Sequence, residues 1–384
     1  MAQFTKINSD EKFINLALNL ARKNIGNSAE NPMVGCVIVV EDNIIATGIT
    51  SPNGRPHAEI VAINKVPNQS ILSKATIYIT LEPCCHFGKS GPCVDEIVKL
   101  KFKKVVICSI DPNPLVNGKA IELLRKNGIE VLVGIGEINS HKINQDFFKF
   151  ISKNIPFISV KIATTLDGKI ASNNFHSKWI SCEKSRKFSH LLRAKHQAIM
   201  VGANTIIQDN PSLNCRILGL ENCSPIQIVI SNNLKFNFNE NFFKENLSIK
   251  KILICSEVHQ SNKNLKNWQI NSQNQVFFLP ANNLGIDIKL AMQKLHDYQI
   301  KSILVEGGSS LITQLIKQNL VDQIIWCRSS KIIGNQAIPA IGDLKIEDIN
   351  QSINKFFRTE FFESGDDLIE IFNYVHDHDD ECKN

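Results

Sequence analysis

Between residues 34 and 133, short apolar runs alternate with amphipathic stretches, and this alternation constrains the fold more than any other feature of the chain. Residues 34–40 and 44–48 flank Glu41-Asp42-Asn43 as a hairpin, 57–64 read as a helix, and 75–81 as a buried strand. A helix at 93–100, a strand at 105–109, a helix at 119–126 and a strand at 129–133 continue the pattern. Ahead of them Ser9, Asp10 and Glu11 precede the apolar set Phe13, Ile14, Ala17, Leu18, Leu20 and Ala21, which predicts a capped amphipathic helix. The alternation implies a three-layer α/β domain.

Residues 137–151 predict one further helix, and Pro156 opens a fresh strand at 157–162, so a domain boundary is expected near 150, dividing the chain into 1–150 and 151–384. The second half repeats the alternation: helix 183–194, strands 198–201, 226–230 and 252–255, helix 286–298, strand 302–305, helix 310–318 and strand 323–327. This predicts a second α/β domain with a mainly parallel sheet. Asn-rich stretches at 232–247 and 260–275 read as surface connections, and the tail 376–384 as frayed.

Composition excludes several classes. A chain with 43% apolar and 21% charged residues is not disordered. The 43 basic and 37 acidic residues are spread evenly, 17 against 14 up to residue 150 and 26 against 23 beyond it, which argues against a nucleic-acid arm and fits a small anionic substrate. No stretch approaches the ~18 apolar residues of a membrane span, and the first residues lack the apolar core of a signal peptide. The eleven cysteines, an odd number, suggest metal ligation or core packing rather than disulfides. A cytoplasmic homo-oligomer with no nucleic-acid or membrane partner is expected.

The sharpest chemical signal is Pro56-His57-Ala58-Glu59, followed by Leu81-Glu82-Pro83-Cys84-Cys85-His86 and Gly91-Pro92-Cys93. One imidazole and two thiolates fill three tetrahedral zinc positions and leave the fourth for water, as in a catalytic site. Cys84 and Cys93 both follow proline at expected helix starts, where the helix dipole favours thiolate. Glu59 can take a proton from the water and return it to a leaving amine, which is the chemistry of hydrolytic deamination. Taken singly, His57 reads as a helix cap and the cysteines as core residues; together H-x-E, P-C and a second P-C form the zinc-deaminase signature, here with eight residues between the cysteines instead of two. Cys85 and His86 read as neighbours of the ligands or substrate contacts, and Cys36 and Cys108 as core. If one of Cys85 and His86 closed the site, the zinc would be structural.

Asn31-Pro32-Met33-Val34-Gly35, PHAE, LEPCCHFGKSGPC and Asp111-Pro112-Asn113-Pro114 resemble the deaminase domain of the bifunctional riboflavin-biosynthesis deaminase/reductase family. Where that family usually has Gly-Tyr-His this chain has Gly48-Ile49-Thr50, so a substrate-contacting histidine is expected to be replaced by Thr50. The second half is similar to the reductase domain of the same family through Lys161–Ala171 (KIATTLDGKIA), Ser177-Lys178-Trp179, Leu192-Arg193-Ala194, Val201–Thr205, Asp209–Leu213 and Val305-Glu306-Gly307-Gly308. A glycine pair between a strand and a helix lets backbone N–H groups approach phosphate, and no dinucleotide fingerprint of the G-x-G-x-x-G type is present.

The resemblance implies a cytidine-deaminase-like domain joined to an α/β domain similar to dihydrofolate reductase, with one zinc per chain and NADPH as hydride donor. It implies deamination of a pyrimidine ribosyl phosphate followed by reduction of its ribosyl side chain to ribityl. His57, Cys84 and Cys93 would hold zinc and Glu59 would be catalytic. Ala163, Trp179, Thr205, Asp209 and the run Gly308, Ser309, Ser310, Leu311, Ile312, Thr313, Gln314 would contact the nicotinamide nucleotide. Ser177, Arg193, Leu213, Arg216 and Glu306 would line the substrate pocket, the two arginines suiting phosphate. The rival reading, a nucleic-acid or nucleoside deaminase with a C-terminal binding domain, would need a basic groove with exposed aromatics.

Overall fold

The computed structural model describes residues 9–23, 31–87, 91–244, 248–283 and 285–375. They form two compact units, Met1–Asn154 and Ile155–Asn384. The first runs α1 (Ser9–Arg22), β1 (Gly35–Val40), β2 (Asn43–Ile49), α2 (Ala58–Asn64), β3 (Thr76–Ile79), α3 (Cys93–Lys99), β4 (Lys104–Ile107), α4 (Lys119–Lys126), β5 (Glu130–Val133), α5 (Glu137–Ile143) and α6 (Gln145–Lys153). Its sheet has the order β2-β1-β3-β4-β5, with β1 antiparallel to β2 and β3, and β3, β4 and β5 parallel.

Period-two alternation sends strand side chains to two separate cores. Cys36, Ile38, Ile77, Ile79, Val105 and Ile107 pack against Ala58 and Ala62 of α2, Val94 and Ile97 of α3, and Leu124 of α4. Val37, Val39, Tyr78 and Val106 meet Phe13, Ile14, Ala17 and Leu18 of α1 on the opposite face. Two glycines let the helices lie this close. A Cβ on Gly35 would stand 1.9 Å from the Ala17 carbonyl oxygen, and one on Gly48 would stand 2.0 Å from that of Ala58.

The second unit contains β6 (Phe157–Thr164), β7 (Lys169–Ala171), α7 (Glu183–Lys195), β8 (Ala198–Gly202), α8 (Ala203–Asp209), β9 (Ile226–Ser231), β10 (Lys251–Ser256), α9 (Lys263–Trp268), β11 (Asn274–Leu279), the ribbon β12 (Ala281–Asn282) and β13 (Gly285–Ile286), α10 (Ile288–Asp297), β14 (Ser302–Glu306), α11 (Ser309–Lys317), β15 (Gln323–Arg328), β16 (Ile338–Pro339), β17 (Phe356–Ser364) and β18 (Asp367–Tyr374). A nine-stranded sheet orders them β11-β10-β9-β8-β14-β6-β15-β18-β17, parallel as far as β15 and antiparallel for the last two. Apolar residues of α10 and α11 cover one face. Leu192 of α7, Ile206 of α8, Leu265 of α9 and three phenylalanines cover the other.

Three expectations are corrected. The helix expected over 137–151 is two helices, because Asn144 leaves helical geometry (φ −117°, ψ 26°) to bond a distant loop. The Asn-rich stretches are not merely surface connections: 232–247 delivers Phe236, Phe242 and Phe243 to the core, and 260–275 contains α9 and the start of β11. The β17–β18 hairpin was not foreseen, since β17 is an edge strand exposed along most of its length and lacks the alternation of a half-buried strand. The tail 376–384 lies outside the described residues.

Candidate functional site

The deaminase-type site lies beyond the C-terminal end of β3 and at the N-termini of α2 and α3. His57 is the N-cap of α2, yet its side chain makes no capping bond. The imidazole turns instead to sulfur: Nδ1 lies 3.3 Å from Cys93 Sγ and 3.5 Å from Cys84 Sγ. All three donor atoms fall within 4.8 Å of one another, and this is the one such His/Cys/Asp/Glu group among the described residues. Tetrahedral zinc with Zn–N ~2.05 Å and Zn–S ~2.3 Å requires a nitrogen–sulfur separation of about 3.6 Å, so the donor set fits the ion.

Cys93 opens α3 as expected, but Cys84 does not start a helix; it lies in an irregular segment after β3. The helix N-terminus still serves it, because the Cys93 backbone N–H donates to Cys84 Sγ at 3.3 Å. Hydrogen bonding to Cys93, aided by His57, pulls the Cys84 thiol down to about 4 against the effect of burial. The Cys84 sulfur and burial together push the Cys93 thiol up. The Cys84 hydrogen bond raises the His57 pKa, against burial.

Glu59, in the first turn of α2, is 3% exposed. Burial lifts its carboxyl above the usual carboxylate range although the His57 charge opposes the shift, a bias that suits a proton shuttle. Cys85 donates its thiol to the Leu115 carbonyl at 3.3 Å and stands outside the ligand group, as does His86, whose Nδ1 is buried without a partner. Three donor side chains, rather than four, therefore converge among the described residues.

Sequence reasoning missed two residues here. Glu82 is 3% exposed and its carboxylate accepts from the N–H groups of Asp111, Gly118 and Ala120 at 3.2, 2.9 and 3.0 Å, fixing the 111–118 loop and the start of α4. It stands inside the quoted LEPCC string, and its isolation among apolar neighbours was the available signal. Asn144 carries no local mark at all. Thr50, which stands where the family usually has histidine, is 2% exposed; its hydroxyl donates to the Pro32 carbonyl at 3.0 Å and accepts from the Val34 N–H at 2.9 Å.

In the second unit the ends of β14, β8 and β6 bring several named residues together. Glu306 ends β14, and Gly307 and Gly308 follow with φ of +78° and +82°, a left-handed turn that disfavours any side chain. α11 then begins at Ser309, with first-turn N–H groups unpaired within the helix. Thr205 packs on this turn, 3.4 Å from where a Gly307 Cβ would stand. Leu311 and Ile312 face the core, and Thr313 Oγ1 bonds the Ser309 carbonyl and the Gly342 N–H, so these three offer a nucleotide only their backbone; Ser309 and Ser310 lie nearer the surface, and Gln314 is partly buried.

Arg193 makes a two-pronged ion pair with Glu306, Nε–Oε1 at 2.8 Å and Nη2–Oε2 at 2.9 Å, and its Nη1 donates to the Asn214 carbonyl. Burial pushes the Glu306 carboxyl up, but the Arg193 charge and hydrogen bonds, then Lys161 and His190, outweigh it and hold it at about 2. Arg216 bonds the Asn214 side chain at 2.9 Å, and His190 Nδ1 donates to the Asn214 carbonyl at 3.1 Å. Asn214 and His190, unnamed by sequence, are thus the hub of this cluster. Ser177 donates to Asp209 at 3.1 Å, Trp179 is 62% exposed beneath Arg186, Ala163 is partly buried beside Cys327, and Leu213 is buried among the phenylalanines.

Fold and site define a two-domain enzyme: a zinc deaminase of the cytidine-deaminase type followed by a reductase domain. Residues 7–109 match the cytidine and deoxycytidylate deaminase zinc-binding region, and residues 156–364 match the RibD C-terminal domain. The riboflavin biosynthesis protein RibD of Aquifex aeolicus is 36% identical over 94% of this chain and 98% of its own, and that of Actinobacillus pleuropneumoniae is 34% identical over 96% of each. Among solved structures, Acinetobacter baumannii RibD aligns with a TM-score of 0.85 at 27% identity over 97% of this chain and 100% of its own. The Thermotoga maritima diaminohydroxyphosphoribosylaminopyrimidine deaminase/5-amino-6-(5-phosphoribosylamino)uracil reductase aligns with a TM-score of 0.81 at 30% identity over 96% and 99%. The chain belongs to the RibD family of bifunctional riboflavin-biosynthesis deaminase/reductases, zinc-dependent in the first activity and NADPH-dependent in the second. No helix among the described residues is long and apolar enough to cross a membrane.

Proposed function

We propose that residues 1–150 hydrolyse the 2-amino group of 2,5-diamino-6-(5-phosphoribosylamino)pyrimidin-4-one and that residues 151–384 reduce the ribosyl side chain of the product to ribityl. The observation that carries the first half is the convergence of His57 Nδ1 on both thiols with buried Glu59 in the adjoining turn. His57, Cys84 and Cys93 would hold one zinc per chain, and when bound it supplies the Lewis acidity that makes water a nucleophile near neutral pH. Glu59 accepts the proton of the attacking water and delivers it to the departing amine, so the C–N bond breaks with ammonia as the leaving group.

In the second half NADPH, when bound, supplies hydride to C1′ of the opened sugar. Its phosphates suit the Gly307-Gly308 turn and the start of α11, with Thr205 supporting the turn. The remaining expected contacts to the nucleotide are Ala163, Trp179, Asp209 and the backbone from Gly308 to Gln314. Because Arg193 is already engaged by Glu306, Arg216 is the better assigned to the sugar phosphate, while Arg193 holds Glu306 ionised and oriented toward the substrate pocket it shares with Ser177 and Leu213. Ten free cysteines among the described residues suit the reducing cytoplasm. The exposed Phe357 and Phe361 of edge strand β17 suit a contact between subunits of a homo-oligomer.

The test is Glu59→Gln. The variant should keep its zinc and its NADPH-dependent reduction of the deaminated intermediate while ammonia release falls ~10²–10⁴-fold. Near-normal ammonia release would remove Glu59 from the mechanism.

A further inference from the structure

Asn144 lies 111 residues from Met33 in sequence, yet its amide pairs with both backbone groups of that residue: Oδ1 accepts from the Met33 N–H at 2.7 Å and Nδ2 donates to the Met33 carbonyl at 3.0 Å. The side chain is 1% exposed. The chain interrupts what the sequence predicts as one continuous helix at this residue, leaving α5 and α6 on either side. With both ends of the amide matched, its removal leaves the N–H and the carbonyl of Met33 without these partners.

The loop so gripped, residues 31–34, is held from its other side as well. The Thr50 hydroxyl bonds Pro32 and Val34, the residues flanking Met33. Two contacts tie the loop and its continuation to the segments that carry the metal-donor residues. Asn31 packs over Gly54, whose Cβ would stand 1.8 Å from the Asn31 amide nitrogen, three residues before His57. Gly35 exchanges hydrogen bonds with Thr80, just ahead of the segment that carries Glu82 and Cys84. Neither Asn144 nor Thr50 belongs to the ligand group.

We propose that Asn144 is a positioning residue for deamination: with Thr50 it clamps the 31–34 loop as a fixed wall of the pyrimidine pocket beside His57 and Glu59. The proposal rests on the deaminase reading above. Its signature is a loss of substrate affinity with the metal retained, since the clamp sets pocket shape and leaves the ligands untouched.

The experiment compares Asn144→Ala, Thr50→Val and Thr50→Ser in the full chain, measuring zinc content, ammonia-release kcat and KM, and the reduction of deaminated intermediate by NADPH. Asn144→Ala and Thr50→Val should each raise the deamination KM at least tenfold with zinc still at one per chain and reduction unchanged, and Thr50→Ser, which retains the hydroxyl, should restore the wild-type KM. A KM within twofold of wild type in both loss variants overturns the proposal, and so does a fall in kcat that merely follows zinc content at constant KM, which is what a structural role produces. If Asn144→Ala does not fold, the Thr50→Val and Thr50→Ser pair decides by the same KM criterion. A wild-type chain that releases no ammonia from the diaminopyrimidine contradicts the deaminase reading itself and is thereby distinguished from failure of the clamp.

Discussion

Replacing Glu306 by Gln removes one charge from a pair whose side chains are only 13% and 12% exposed, and the cost can be worked out in two ways. The carboxyl sits at about 2 against an ordinary 4.5, and at ~1.4 kcal/mol per unit this difference gives roughly 3 kcal/mol of preference for the ionised form in the folded chain. Breaking a buried pair by removing one partner costs ~3–5 kcal/mol in general, which agrees. The sign follows from the depressed folded-state pKa: the stabilisation is fully present above about 4.5 and is lost as pH falls through about 2. The assay is built into the sequence. All three tryptophans, Trp179, Trp268 and Trp326, belong to the second unit, so intrinsic fluorescence during denaturant unfolding reports that unit alone. Glu306→Gln should lower its unfolding free energy by about 3 kcal/mol at pH 7, and the gap to wild type should narrow below pH 4. A gap under ~0.5 kcal/mol at pH 7, or one that does not change with pH, would refute the reasoning.

Cys93→Ser should lose zinc and destabilise the first unit, whereas Cys85→Ser, which loses only a thiol bond to the Leu115 carbonyl, should retain one zinc per chain; elemental analysis showing loss in both would mean a four-ligand site. Gly48→Ala forces a methyl to within 2.0 Å of the Ala58 carbonyl oxygen and must displace α2, so ammonia release should collapse while reduction of the deaminated intermediate persists. Near-normal deamination in that variant would contradict the close approach of β2 and α2.

What the sequence made legible, and what it concealed, divides along physical lines. Most strands and helices of the two sheets follow from local periodicity, and the His57, Cys84 and Cys93 cluster was legible because each is a metal-binding residue type at an interpretable spacing. Residues that act through long-range pairing were silent. Asn144 is one polar residue in a helical pattern, and only the folded chain puts it against Met33. Arg193 reads as a phosphate ligand by type, and only the structure shows its guanidinium engaged by a carboxylate 113 residues away. Thr50 looked like a lost substrate contact because its type was compared with histidine, whereas its hydroxyl closes a loop. The Asn-rich stretches hid Phe236, Phe242 and Phe243 because polar neighbours diluted their pattern.

The central claim is that one chain carries out two reactions in a fixed order, deamination at the His57, Cys84, Cys93 and Glu59 site and reduction at the Glu306 to Gln314 segment. The most direct measurement follows ammonia release and NADPH oxidation together, with the purified chain given 2,5-diamino-6-(5-phosphoribosylamino)pyrimidin-4-one, before and after zinc is stripped by a chelator. The account predicts ammonia first and NADPH oxidation after it in the zinc-loaded chain, neither in the stripped chain, and undiminished NADPH oxidation by the stripped chain when the deaminated intermediate is supplied instead. NADPH oxidation on the diaminopyrimidine without ammonia release, or ammonia release that survives zinc removal, would contradict it.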